Sequence, residues 1–479
     1  MGNNASDIDL KTVEGMVVCE TSGGIEIHGA LVRLTRHVVS FEIHNVSDTL
    51  QMSEVLANLK ILSRSQTIYS GRAVITNLVD AGPVVLCQAN LEDAWSGVSI
   101  GALAQQPEQL RSAFAELVQG WEKIYRIQDD YKIVVADIQS FLYELCHWAD
   151  EMEAGITSGG KVDVAAERRA VAELVGPITP CLNHLFGRFE LCSQRIAPEL
   201  QAAHGLYAKR QLHPLLLCSP FMHRIYRKPL GYAGDYEMVS MILRDPHEGG
   251  SLFAKLLNTW FLAQSPAEAH RNRVHYLTAK LKEESMRAKR DHRRMRVLNL
   301  GCGPAGEIHA FMRESDLCNR ANLTLLDFND ETIRDTGNAL RAVNSQFNRT
   351  AEINMVKRSV HQVLKDGSKG SNVPGAGTFD FVYCAGLFDY LSDRTCKQLM
   401  NIFYELLAPE GLLVATNVDS FNPIRNIMGY IFEWKLIERN GPEFLALTPD
   451  KSAKDDCRVM ADATGCNIFL ECRKPEARP

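Results

Sequence analysis

Three glycines and one aspartate have the residue types and the spacing of a nucleotide-binding turn. Gly301, Gly303 and Gly306 lie in the segment RVLNLGCGPAGE, directly after an apolar run, and Asp327 ends a second apolar run about 20 residues later. Glycines let the backbone turn sharply and approach a ligand closely, and the amides of the following helix face that ligand. A carboxylate at this spacing can accept hydrogen bonds from both hydroxyls of a ribose. The pattern predicts a site for a nucleotide-containing cofactor.

NAD and S-adenosylmethionine both fit this turn, and the segments that follow it distinguish between them. GCGPAGE resembles the first motif of class I S-adenosylmethionine-dependent methyltransferases, and later segments resemble that family in the same order. One departure is Asn299, where the family often has an acidic residue two positions before the first glycine. The resemblance implies cofactor-binding residues at the ends of four strands, namely Gly301, Cys302, Gly303, Gly306, Asp327, Phe328, Ser359, Val360, Cys384, Ala385 and Gly386.

The same resemblance implies a Rossmann-like α/β fold with a mostly parallel, seven-stranded sheet. Apolar runs predict its strands, which end at or near residues 300, 326, 357, 384, 418, 460 and 472. The last two runs would form the antiparallel hairpin that ends methyltransferase sheets. A dinucleotide-dependent dehydrogenase would not be expected to end in this way.

Two further segments make the resemblance more specific. KPLGYAGDYEMV at 228–239 and YIFEWKLIERN at 430–440 resemble a bacterial subfamily identified with biosynthesis of 3-hydroxypalmitic acid methyl ester, an extracellular signal. The resemblance extends from Lys228 to the C-terminus. It implies methyl transfer to a small lipophilic acceptor, and a fatty carboxylate is the favoured one.

The glycine-rich segment also supplies candidate catalytic residues. Gly231 and Gly234 permit a tight loop that would present Tyr232, Asp235 and Tyr236 to the cofactor as a lid that excludes water. The alternative is that these tyrosines are structural. A carboxylate acceptor is ionised at neutral pH and needs no general base, whereas an amine or hydroxyl benefits from one.

Three other residues are candidates from their positions in the sequence. Asp389 and Tyr390 follow the fourth strand, where they could act as a base. Arg273 lies on a helix expected to end near the cofactor, where its guanidinium could bind the methionine carboxylate or an acceptor carboxylate through two hydrogen bonds. The alternative for Arg273 and the neighbouring His275 is a surface position.

The N-terminal part of the chain has a different pattern. Short β-rich runs from Val13 to Leu91, separated by Gly, Asn, Asp and Ser, predict a small antiparallel barrel. These runs resemble the PilZ family, but the Arg-rich and D/N-x-S-x-x-G motifs of its cyclic-di-GMP-binding members are absent. A structural or interaction module is therefore favoured over a nucleotide receptor.

Between the barrel and the α/β part, the sequence predicts one long helix after Pro107. Gln128 interrupts its apolar seam, which must be buried either in a second subunit or against helices predicted within 164–217. The sequence does not distinguish a homodimer from an intramolecular helical bundle. The expected domains are 1–97, 105–225 and 226–479. The seam residues are Leu110, Phe114, Leu117, Trp121, Ile124, Tyr131, Val135, Ile138, Leu142 and Leu145.

Charge and composition limit the partners, the cellular location and the metal sites that can be expected. The net charge of −6 disfavours nucleic acid as a partner, and no apolar run is long enough to span a membrane. Thirteen cysteines without a CxxC pair and without an apolar leader predict a cytoplasmic protein, and no spacing predicts a metal site. Two alternatives to the fatty-acid reading stay open: N-methylation of a natural product, and a ligand-sensing regulator whose methyltransferase-like domain has no activity.

Overall fold

The computed structural model describes residues 15–35, 37–44, 50–63, 66–80, 84–93, 111, 115, 118, 126–158, 161–367 and 375–476. The chain forms two compact units. The first consists of Met1–Ala233, Pro246–Phe261 and Ile424–Lys435, and the second of Gly234–Asp245, Leu262–Pro423 and Leu436–Pro479. Two short segments from the C-terminal half thus belong to the first unit, while the domain boundaries expected from the sequence stay a prediction.

The first unit begins with a closed barrel of six antiparallel strands in the order β1-β2-β3-β6-β5-β4, in which β4 pairs with β1. Alternate side chains, such as Val17, Cys19 and Ile27, are buried inside the barrel. The predicted small barrel is confirmed, and its kinship to the PilZ family stays a prediction. The strands are β1 Gly15–Glu20, β2 Glu26–Leu34, β3 Val38–His44, β4 Val55–Ser63, β5 Gln66–Asp80 and β6 Val84–Leu91.

Helices make up most of what the structure describes in the rest of the first unit. A hairpin of two two-residue strands lies between the helix that ends at Ile156 and the helix that begins at Val164. The elements are α1 Asp129–Ile156, β7 Thr157–Ser158, β8 Lys161–Val162, α2 Val164–Ser193, α3 Gln201–Leu216 and α4 Pro220–Arg227.

The prediction of one continuous helix through Gln128 is wrong. Gln128 has extended backbone angles (φ −60°, ψ 140°) and precedes the first turn of α1. Its amide donates a 3.0 Å hydrogen bond to Nε2 of His204, and Asp129 and Asp130 place negative charge at the helix N-terminus. The interruption in the apolar pattern therefore marks the start of a helix. The predicted seam from Leu110 to Ile124 lies outside the described residues.

The apolar face of α1 is buried within the chain. Tyr131 packs against Phe189 of α2 with ring centroids 5.3 Å apart, and its hydroxyl donates to the carbonyl of His204 on α3. Asp137 forms a 2.7 Å ion pair with Arg188 of α2. For this helix the structure agrees with the intramolecular alternative, so its seam does not require a second subunit. The homodimer stays a prediction.

The second unit is built around a seven-stranded sheet in the order β11-β10-β9-β12-β13-β15-β14. The pairs among β9 to β13 are parallel, and β15 runs antiparallel to both of its neighbours. The predicted fold class is thus confirmed in the described part of the chain. The strands are β9 Met295–Leu300, β10 Ala321–Asp327, β11 Glu352–Lys357, β12 Phe379–Cys384, β13 Leu407–Val418, β14 Cys457–Ala461 and β15 Asn467–Arg473.

Helices cover both faces of this sheet, because alternate side chains of each strand point to opposite sides. Val297 of β9 packs on one face with Leu277 and Ile308, and Leu298 packs on the other with Leu399. Among the described helices, none is both long and apolar enough to cross a membrane. The remaining helices are α5 Tyr236–Leu243, α6 Leu252–Leu262, α7 Ser265–Arg290, α8 Gly306–Glu314, α9 Asp330–Gln346, α10 Val360–Gly367, α11 Asp393–Leu406 and α12 Gly441–Leu445.

Candidate functional site

The predicted glycine turn joins β9 to α8 at the carboxyl edge of the sheet. Gly301 and Gly303 have φ values of +71° and +51°, which favour glycine. A Cβ atom at Gly303 would meet no heavy atom within 4 Å, so the backbone there borders open space. A Cβ at Gly306 would lie 2.7 Å from Cδ1 of Leu243, so this glycine lets α5 pack closely against the start of α8.

Asp327 ends β10 beside this turn. Its carboxylate accepts hydrogen bonds from the backbone amides of Gly303 (3.2 Å) and Asn329 (3.0 Å). Burial raises the pKa of Asp327, and these amide donors act in the opposite direction. The residue predicted to bind a ribose is therefore fixed in place at the edge of the sheet, next to the open face of Gly303.

The other predicted cofactor residues lie at the ends of the neighbouring strands. Ser359 follows β11, with the preceding amide of Arg358 bonded to the carbonyl of Asp327, and Val360 begins α10. Phe328 is half-buried directly after β10. Burial raises the pKa of the thiols of Cys302 and Cys384 well above the ordinary value, and their role in cofactor binding stays a prediction.

Arg273 projects from α7 against the loop that follows β12. A Cβ atom at Gly386 would lie 2.7 Å from its Nη1 atom, and Gly386 has φ +85°. Arg273 is only 8% exposed. Burial lowers its pKa, while Asp389 and Glu307 oppose this. By contrast, the neighbouring His275 is exposed.

Asp389 is buried in the same loop, which also contains Tyr390 and leads into α11. Its Oδ1 atom accepts a 2.6 Å hydrogen bond from the amide of Val418, and its carbonyl accepts one from Ile437. Burial raises the pKa of Asp389 to about 6, with Arg273 acting in the opposite direction. Tyr390 is also buried: a Cβ atom at Gly234 would lie 2.4 Å from its hydroxyl oxygen.

Arg439, which the sequence did not single out, fixes this loop. Its guanidinium donates to the carbonyls of Phe388 and Leu391, to Oδ1 of Asn417 and to the carboxylate of Asp393, at 2.6–2.9 Å. The side chain is 2% exposed. The loop that carries Asp389 is therefore held between the ends of two strands and α11. Its only sequence signal is its place in YIFEWKLIERN.

Glu307 was also missed, and it bears on the departure at Asn299. Its buried carboxylate accepts hydrogen bonds from the hydroxyl of Tyr383 (2.7 Å) and from Nδ2 of Asn299 (3.4 Å). Burial raises the pKa of Glu307. Asn299 is thus hydrogen-bonded to a buried carboxylate at the start of α8.

The glycine-rich segment supplies a helix cap and a half-buried tyrosine that contacts α9. The carboxylate of Asp235 accepts a 2.7 Å hydrogen bond from the amide of Met238 and caps α5. The hydroxyl of Tyr236 lies 2.8 Å from Glu331 and 3.0 Å from Asp335, both on α9. Tyr232 is buried and belongs to the first unit. The catalytic roles of these three residues stay predictions.

Among the described residues, no cluster of three or more His, Cys, Asp or Glu is placed to hold a metal ion.

Comparisons with known proteins add little beyond this geometry. No protein-family model and no curated protein matches the sequence. A "possible exported protein" from Bordetella parapertussis has 17% identity and a TM-score of 0.38 over 66% of this chain and 100% of its own. Magnesium protoporphyrin IX methyltransferase from Synechocystis, with bound S-adenosylhomocysteine, has 12% identity and a TM-score of 0.32 over 43% of this chain and 84% of its own.

The N-methyltransferase NodS from Bradyrhizobium japonicum has 15% identity and a TM-score of 0.26, over 42% of this chain and 96% of its own. At these values the likenesses carry no argument about this chain. The fold assignment rests on the strand order and on the position of the turn between β9 and α8.

Proposed function

We propose that the second unit binds S-adenosylmethionine and transfers its methyl group to a small lipophilic acceptor. The observation that carries the proposal is the pairing of Asp327 with the amide of Gly303 beside open space, at the carboxyl edge of a sheet with this strand order. In open α/β sheets, ligands bind outside the carboxyl ends of the strands. The resemblance of the sequence to class I methyltransferases supports the same assignment.

The residues present fit this cofactor in type and in position. Asp327 would accept hydrogen bonds from the ribose hydroxyls, and Ser359 and Val360 would flank the adenine. The buried guanidinium of Arg273 suits a carboxylate, either that of the cofactor or that of the acceptor. When bound, S-adenosylmethionine supplies an already activated methyl group. The protein then has to orient the acceptor and exclude water.

A fatty carboxylate is the favoured acceptor, which makes the product a methyl ester. Its support is the resemblance of residues 228–239 and 430–440 to the subfamily of 3-hydroxypalmitic acid methyl ester biosynthesis. A carboxylate is ionised at neutral pH, so no residue has to remove a proton. Apolar side chains at the carboxyl edge, the half-buried Leu387 and the exposed Phe421, suit a lipophilic acceptor.

A second candidate function is N-methylation of a natural product. The observation that favours it is the burial of the carboxylate of Asp389. An amine nucleophile must lose a proton, and a base is most effective when its pKa lies near the working pH. Burial raises the pKa of Asp389 to about 6, which brings it toward that range. A regulator without turnover is the third alternative. It would bind the cofactor at this site without transferring the methyl group.

The test is transfer of labelled methyl from S-adenosylmethionine to 3-hydroxy fatty acids of increasing chain length, followed by mild alkaline hydrolysis. Label released as methanol identifies a methyl ester and supports the favoured function. Label that resists base, obtained with an amine-containing extract, would favour N-methylation. Binding without transfer to either acceptor class would favour the regulator, and the Asp327→Ala variant serves as the inactive control in each assay.

A further inference from the structure

The barrel and the two subfamily segments are not explained by the proposed chemistry, yet the first unit brings them together. Residues 51–55, which end at the first residue of β4, make the contact with both segments. They are called here the barrel turn. Residues 228–233 and 430–435 are called the first and second held segments. All three lie within the first unit.

The barrel turn binds the first held segment through its backbone. The amide of Val55 donates a 2.7 Å hydrogen bond to the carbonyl of Gly231. Gly231 has φ +87°, and a Cβ atom there would lie 2.4 Å from Cβ of Ser22. Glycine is therefore required at position 231 both by its backbone angles and by its close approach to the barrel.

The second held segment is bound by a single buried side chain. The hydroxyl of Ser53 donates to the carbonyl of Lys435 (2.8 Å) and accepts from its amide (2.6 Å). Ser53 is fully buried and has φ +62°. One hydroxyl thus satisfies both backbone groups of Lys435 in the way that a neighbouring β-strand would.

The barrel turn is itself rigid. The buried carboxylate of Glu54 accepts hydrogen bonds from the amide of Gln51 (2.8 Å) and from both the amide and the hydroxyl of Ser22 (2.7 Å each). Buried polar groups that are fully satisfied hold a loop in one conformation. The turn can therefore act as a fixed support for the segments that it contacts.

The two held segments are also bonded to each other. Lys228, which is 2% exposed, donates from Nζ to the carbonyls of Phe432 (3.2 Å) and Glu433 (3.0 Å). The carboxylate of Glu433 pairs with Lys209 of α3 and lies 3.9 Å from Nη1 of Arg72 on β5. Charges from the barrel and the helices therefore meet on the second held segment.

We propose that the barrel is a positioning element of the enzyme, holding the first segment through Val55 and the second through Ser53 and Arg72. Along the chain, the first held segment continues into Asp235 and the second into Arg439, which fixes the loop that carries Asp389. The catalytic consequence rests on the proposed function, whereas the positioning itself does not. On this account the barrel has a structural role, in which it supports the two held segments.

The test uses the full-length chain with Ser53→Ala, and Ser70→Ala as the matched control at an exposed position of β5. Hydrogen–deuterium exchange is followed in peptides that cover 430–435 and 228–233, with a peptide from β10 as the internal reference. Loss of two buried hydrogen bonds should speed exchange in 430–435 by about tenfold. The β10 peptide should exchange at the wild-type rate, and the control variant should match the wild type throughout.

A second variant, Lys228→Met, keeps the apolar stem and removes both hydrogen bonds between the held segments. It should speed exchange in both segments. In both variants kcat for methyl transfer should fall by about threefold or more while the Kd for S-adenosylmethionine stays within about twofold. Unchanged exchange in both variants would overturn the positioning role. Faster exchange in a protein that transfers no methyl group would overturn the proposed function and leave the positioning role supported.

Discussion

The guanidinium of Arg273 lies directly against Gly386, so that a Cβ atom at position 386 would be 2.7 Å from Nη1 of Arg273. Gly386→Ala must therefore displace the guanidinium, and it also places a side chain at φ +85°. We expect the Kd for S-adenosylmethionine or the acceptor KM to rise about tenfold or more, because a charge-assisted hydrogen bond contributes about 1.5–3 kcal/mol. Calorimetric titration and steady-state kinetics would measure these two quantities.

The matched control is Gly377→Ala. Gly377 has φ +68°, but a Cβ atom there would meet no heavy atom within 4 Å. This variant also places a side chain at a positive φ angle, but it does not displace Arg273. Equal losses of affinity in the two variants would show that strain alone is responsible and would contradict the assigned role of Arg273.

Arg439 should matter for turnover through the loop that it fixes. Arg439→Met removes hydrogen bonds to two backbone carbonyls in the loop around Asp389, which we expect to lower the free energy of unfolding by about 2 kcal/mol. We also expect kcat to fall about tenfold or more, and guanidinium ion added to the assay to restore part of it. Arg334→Lys, at a side chain 65% exposed, is the control. An unchanged kcat in Arg439→Met would contradict the positioning role.

The stability of the protein should depend on pH through Asp389. Burial raises the pKa of this carboxyl from 3.8 to about 6, so the folded state binds its proton more tightly than the unfolded state does. The resulting stabilisation is complete below pH 3.8 and is lost as the pH rises through about 6, by up to about 3 kcal/mol. Asp389→Asn should remove this dependence, since the amide oxygen can still accept from Val418.

Urea unfolding between pH 4 and pH 8 would measure the difference in the free energy of unfolding between the wild type and Asp389→Asn. The two curves should converge at low pH, and the variant should be the more stable protein above about pH 6. A constant difference across the range would show that Asp389 does not titrate there. For an amine acceptor, the same variant should also abolish the rise in kcat through pH 6.

Tyr236 should not act as a base. Burial and the adjacent carboxylates of Glu331 and Asp335 raise the pKa of its phenol, which therefore stays protonated and donates a hydrogen bond. In Tyr236→Phe we expect a loss in kcat of less than about tenfold and a pH–rate profile of unchanged shape. A loss of more than about a hundredfold with a shifted profile would instead assign the phenol a catalytic role.

The parts of the fold that follow from local pattern could be predicted from the sequence. The barrel strands, the glycine turn and the place of Asp327 depend on alternation and on residues close together in the chain. The seven-stranded sheet was expected from the resemblance to class I methyltransferases. Gln128 shows the limit of such patterns, because an interrupted apolar seam resembles one helix but marks a helix start fixed by His204, 76 residues away.

The residues that could not be predicted depend on long-range contacts. Arg439 and Glu307 gain their roles from partners on other strands, and Ser53 contacts Lys435 at a separation of 382 residues. A serine in a turn carries no local signal for such a contact. The glycine-rich segment is a mixed case: its conformation was expected from Gly231, but its attachment to the barrel was not.

The central claim is that Asp327 belongs to a site for S-adenosylmethionine. Equilibrium titration with S-adenosylmethionine and S-adenosylhomocysteine should show one site per chain in the wild type. Asp327→Asn should weaken binding by about tenfold to a hundredfold, since it loses charge-assisted hydrogen bonds to the ribose. Asp330→Asn, at an exposed position three residues away, should bind like the wild type. Absence of binding to the wild type, or equal affinity in Asp327→Asn, would contradict the account.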